Sequence, residues 1–81
     1  MAKVLPEDSW TRVGQTIRTM RELRGLTVDQ LARGVLKSRP YVANIEAGRK
    51  PLTPPMLVAI AGVLGVKTGA ILRPDLFQDA A

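Results

Sequence analysis

Hydrogen-bond donors and cations are the reactive inventory of this chain, and they crowd one segment. The sequence has no histidine and no cysteine. Its seven acidic residues are scattered, without metal-ligand spacing or a paired-carboxylate arrangement, and no glycine-rich phosphate loop is present. Catalysis therefore finds no constellation to work with, and the expectation is a non-enzyme with no cofactor and no metal. What remains is recognition chemistry. Arg39 carries a planar fork of donors and Asn44 an amide that donates and accepts, while Lys37, Arg49 and Lys50 supply compact or forked positive charge close by.

The elements that must position these groups follow from periodicity and capping. Thr27 is a good N-cap, and Val28, Leu31, Ala32 and Val35 then recur at i, i+3, i+4 and i+7, the apolar stripe of a helix lying on a core. Ser38 caps a second helix. Its Pro40 falls in the first turn, where the missing N–H is harmless, and Gly48 stops it. At 100° per residue, Val42, Ile45 and Glu46 share one face; Pro40, Ala43, Asn44 and Ala47 share the opposite one, with Arg39 and Tyr41 on the flanks. One face packs and the other is offered outwards. Such a helix, held by its predecessor across a short turn, fits the major groove of B-DNA, about 12 Å wide.

The rest of the chain reads as support. Residues 1–8 carry Pro6 and no periodicity, which predicts a flexible arm. Asp8 or Ser9 is placed to cap a first helix in which Trp10, Val13, Ile17, Met20 and Leu23 recur at helical spacing before Gly25 ends it. After an Arg49–Leu52 loop, Thr53 caps a fourth helix opened by Pro54 and Pro55, with Leu57, Ile60, Ala61 and Leu64 inward. Thr68 is placed to cap a short fifth helix through Ile71 and Leu72, which Pro74 ends. The boundaries expected are an arm over 1–8, a domain over 9–73 and a tail over 74–81.

At 81 residues with no cysteine, one small domain must hold itself together by packing, and 46% hydrophobic with 4% aromatic residues suits a bundle of Leu, Val, Ile and Ala. No signal peptide precedes Glu7 and Asp8, and no run approaches the roughly 20 apolar residues of a membrane span, so a soluble, cytoplasmic protein is expected. Twelve basic against seven acidic residues give +5. Between Trp10 and Lys50 nine basic face three acidic residues, a net +6, so the positive potential is confined to the capped helices.

From Val13 to Leu72 the chain resembles the phage-repressor type of helix-turn-helix domain, the Cro/XRE family. The resemblance rests on Val13-Gly14, Ile17-Arg18, Arg21, Gly25-Leu26-Thr27, Gln30-Leu31-Ala32, Ser38-Arg39, Tyr41-Val42, Ile45-Glu46-Ala47-Gly48, Leu57, Ile60-Ala61 and Leu64-Gly65-Val66, in order and at family spacing. It implies an all-α, five-helix, lambda-repressor-like bundle whose third helix enters the major groove, and a sequence-specific, repressor-like regulator of transcription associated with the nucleoid. It implies double-stranded DNA as partner, homodimers on near-palindromic half-sites about 34 Å apart, and no evident small-molecule site. These 81 residues leave no room for an effector domain, and any ligand sensing is expected in a partner or a longer parent chain.

Arg39, Pro40, Ala43 and Asn44 match the outward positions of the recognition helix and are the candidates for base contact, with Arg39 placed equally for phosphate. Only two of the four offer hydrogen bonds, so specificity leans also on Tyr41, water or DNA shape. Lys37, Tyr41, Arg49 and Lys50 are the candidates for phosphate contact. Thr27 and Ser38 serve as caps, as phosphate ligands, or as both. Arg21 and Glu46 stand where the family pairs helix one with the end of helix three, a structural ion pair.

Two residues depart from the pattern. Leu36 stands where the family usually has a turn glycine, which predicts a longer or reshaped turn, or a Leu36 that plugs the core; Val28 stands where the family commonly has a glutamine at the start of helix two. Leu72, Leu76 and Phe77 either form a dimer surface or pack on their own core. Two rival readings stay open: an antitoxin or adaptor that uses the same fold to bind protein, and a non-specific nucleic-acid binder.

Overall fold

The computed structural model describes residues 7–73. Among them lie five α-helices and no strand: α1 Glu7–Leu23, α2 Val28–Gly34, α3 Arg39–Glu46, α4 Pro54–Leu64 and α5 Thr68–Leu72. Three of these start on a side-chain hydroxyl. Thr27 Oγ1 accepts from the Gln30 amide at 3.1 Å while Gln30 Oε1 accepts from the Thr27 amide at 2.8 Å, a reciprocal capping box. Ser38 Oγ accepts from the Tyr41 amide at 3.2 Å, and Thr53 Oγ1 from the Met56 amide at 3.4 Å, each with proline in the first turn.

The other two starts differ from expectation. The chain is already helical at Glu7, ahead of Asp8 and Ser9. In α5 the cap position is Lys67, without a side-chain cap bond, and Thr68 is the first helical residue. Burial of Ile71 sets the register of this short helix and overrides the capping preference of Thr68.

The core draws on every helix: Val13 and Ile17 of α1, Leu31, Ala32 and Val35 of α2, Val42 and Ile45 of α3, Met56, Ile60, Ala61 and Leu64 of α4, and Ile71 of α5, with Leu52 from the loop. Leu23 does not join them and is 76% exposed. Val13, Gly14, Ile17 and Arg21 are buried positions of α1, and Leu23 lies about 135° of helix rotation from their centre. Trp10 and Met20 are half-buried. In α4, Met56 takes the inward position and Leu57 is half-buried against the core. Arg12 Nη1 donates to the Leu72 carbonyl at 3.0 Å, tying α1 to the end of α5. Leu72 itself is half-buried, and Leu76 and Phe77 lie outside the described residues.

The turn from α2 to α3 runs over residues 35–38. Leu36 takes the left-handed conformation, φ 59°, and is 89% exposed, so it does not plug the core. Its amide donates to the Arg33 carbonyl at 3.2 Å, and the Lys37 amide to the Ala32 carbonyl at 2.9 Å. This closure of a helix end needs a left-handed residue, which glycine adopts freely and leucine only at about 1–2 kcal/mol. The hydrogen bonds and the burial of Val35 and Val42 on either side impose it on Leu36.

Candidate nucleic-acid interface

Behind α3 the packing is tight. Arg21 Nε donates to Glu46 Oε2 at 2.8 Å and Nη2 to Oε1 at 3.1 Å, a bidentate pair whose side chains are 9% and 5% exposed. The third guanidinium nitrogen, Nη1, donates to the Leu26 carbonyl at 2.6 Å. The bond to Glu46 holds the Arg21 guanidinium above its ordinary pKa; burial opposes this, and the Glu46 and Glu22 charges add to it. About two turns upstream, Gly14 lets the α1 backbone lie against the last carbonyls of α3. A Cβ there would meet the Ile45 carbonyl oxygen, and would stand 2.7 Å from that of Glu46.

On the opposite side of α3 the side chains are accessible. Arg39, Pro40 and Ala47 are exposed, and Ala43 and Asn44 are half-buried. Arg49 Nη1 donates to Asn44 Oδ1 at 3.5 Å. Lys37 comes from the turn before the helix and Lys50 from the loop after it, and both reach the Tyr41 ring: their Nζ atoms stand 5.2 and 5.0 Å from its centroid. Three phosphate candidates thus meet at one place. The oxygens of Thr27 and Ser38 accept in the caps, and their hydroxyl protons remain to donate.

Sequence reasoning did not single out Arg18. It lines a shallow cleft of about 240 Å³ with Arg21, Val28, Ala43, Glu46 and Ala47, on the flank of α3. Its nearest partner is Glu22, with Nε 3.4 Å from Oε2, both largely exposed. The signal was present: Arg18 precedes Arg21 by three residues, so the two share a face of α1.

A short helix clamped from behind, led by a tight turn from its predecessor and flanked by cations at both ends, defines a helix-turn-helix DNA-binding domain. The family model described as helix-turn-helix matches residues 17–71, and the chain belongs to that family, in its Cro/XRE form. An immunity repressor protein of Bacillus phage phi105 is 43% identical over 63 residues, 78% of this chain and 44% of that protein. The chain thus spans less than half the length of that relative. Among solved structures, the clp gene regulator ClgR of C. glutamicum superposes with a TM-score of 0.76 at 25% identity, over 85% of this chain and 90% of that one. Iron(II) HppE, solved with its substrate, gives 0.73 at 30% identity, over 80% of this chain and 38% of that chain. Among the described residues no group of three or more His, Cys, Asp or Glu is placed to hold a metal ion, and no helix is long and apolar enough to cross a membrane.

Proposed function

We propose that this chain is a sequence-specific, repressor-like regulator of transcription that lays α3 in the major groove of an operator. The observation that carries the reading is the contrast across α3: the Arg21–Glu46 pair fixes its inner side, while Arg39, Pro40, Ala43 and Asn44 stand accessible on its outer one. Arg39 then grips guanine O6 and N7, Asn44 the edge of adenine, and Pro40 and Ala43 lie against thymine methyls. Lys37, Tyr41, Arg49 and Lys50, with the hydroxyls of Thr27 and Ser38, hold phosphates on either side. The protein acts as a homodimer on a near-palindromic site, in the cytoplasm at the nucleoid, and catalyses nothing.

Selection of bound sequences from random duplex DNA tests this directly. The expected outcome is a near-palindrome with half-sites about 34 Å apart. Its logarithmic affinity should fall linearly with log salt, with a slope of roughly −3 to −7 per dimer at about 0.9 per neutralised phosphate. Lys50→Ala should weaken all duplexes alike and reduce the slope by about 1 per subunit. Retention of duplex without a consensus would mark a non-specific binder. Retention of none would mark a module that binds protein.

A further inference from the structure

We infer that the cleft between α1 and α3 is a second grip on the DNA backbone, in which Arg18 leaves Glu22 to donate to a phosphodiester oxygen. The inference rests on the reading of α3 as a groove-inserting helix and adds a site to it. Ala43 and Ala47, from the outward face of α3, line the cleft together with Val28 of α2. None of the three carries a side-chain polar atom. The remaining charge in the cleft, the Arg21–Glu46 pair, is turned inward: three of the five guanidinium N–H groups of Arg21 donate within the protein, both Glu46 oxygens accept from Arg21, and the side chains are 9% and 5% exposed.

Arg18 is therefore the exposed cation of this cleft, and it has donors to spare, since its Nε alone meets Glu22, at a long 3.4 Å and in solvent. A helix lying in the groove has the sugar-phosphate walls along its flanks, and small side chains at 43 and 47 let one wall come close on the side where Arg18 stands. The guanidinium matches two phosphate oxygens with paired donors, a stronger match than one long contact to an exposed carboxylate. Glu22 opposes the approach of phosphate, so the exchange of partners sets how tightly this flank closes.

Arg18→Gln, Glu22→Gln and the double variant of the whole chain test the site, by equilibrium binding to the selected duplex and its single-base variants over 50–200 mM salt, the range in which phosphate contacts show. Arg18→Gln should weaken every duplex alike, by roughly 5–20-fold at the low-salt end, and lower the slope by about 0.9 per subunit. Glu22→Gln should tighten binding by roughly 2–5-fold, and by less once Arg18 is gone. The Arg18 side chain is 62% exposed, so melting temperatures should match the wild type. An unchanged slope in Arg18→Gln, or a loss confined to one base pair, overturns the backbone site. A Glu22→Gln variant no tighter than wild type overturns the exchange. Wild-type protein that binds no duplex overturns the reading beneath both, a failure distinct from one seen only in the variants.

Discussion

The two sides of α3 are built with unequal resources. Inward, the helix carries Val42 and Ile45 fully buried, a bidentate ion pair at Glu46, and a backbone approach to Gly14 so close that a methyl group has no room. Outward it offers one guanidinium, one amide, a proline and two alanines. The position of the helix is thus over-determined, while its reading surface is sparse. On the proposed reading of α3, few hydrogen-bonding groups can discriminate bases only if they arrive at fixed positions, and the remaining selectivity would fall to DNA shape. Investment behind the helix and economy in front of it are two halves of one arrangement.

The contrast breaks first at the ion pair. Arg21→Met should cost about 3–5 kcal/mol in urea unfolding, because it leaves the Glu46 carboxylate buried without its partner. In a cycle with Glu46→Gln the two changes should couple by about 1–3 kcal/mol, and additive losses would show that the clamp is not a unit. Gly14→Ala comes next, at about 3 kcal/mol, since the obstructing atoms are α3 carbonyls that cannot turn aside; a well-folded variant would mean that α3 tolerates displacement. On the outer side, Asn44→Ala should leave stability almost untouched and relax preference at one base per half-site by about 1–3 kcal/mol of discrimination. Equal weakening of every sequence would remove Asn44 from base readout. Least of all, Leu36→Gly should stabilise by about 0.5–1 kcal/mol, the relief of a left-handed leucine less the added freedom of the unfolded chain. A parallel loss of DNA affinity would draw Leu36 into the outer surface.

Most of the frame was legible in the sequence because it depends on local rules. Hydroxyls at 27, 38 and 53 cap helices wherever the next residues are helical, and apolar spacing marked the inward sides of α2 and α3. The pairing of Arg21 with Glu46 spans 25 residues and was readable only through resemblance to a family. The misses share a cause, namely that neighbours decided against local preference. Leu36 takes a conformation that glycine favours because the hydrogen bonds of the turn require it; Thr68 yields its cap to Lys67 because Ile71 is buried; Leu23 keeps the spacing of a core residue but faces away from the buried side of α1. Arg18, named among the family-like residues, was given no role for a different reason. Its meaning comes from what surrounds it, two alanines, a valine and a self-satisfied ion pair, and no stretch of sequence displays that company.

The Tyr41 ring has a kinetic consequence. Lys37 and Lys50 come from opposite ends of α3, yet one aromatic ring has both ammonium groups at about 5 Å before any partner arrives. Two flexible chains that would otherwise wander are gathered into one spot of positive potential, which acts on a polyanion across several ångströms of water, before any base edge is within reach. Replacing the ring with leucine should then appear chiefly in the rate of association at low ionic strength, with the lifetime of the complex changed less. The aromatic ring, itself uncharged, would be setting how fast the protein finds DNA.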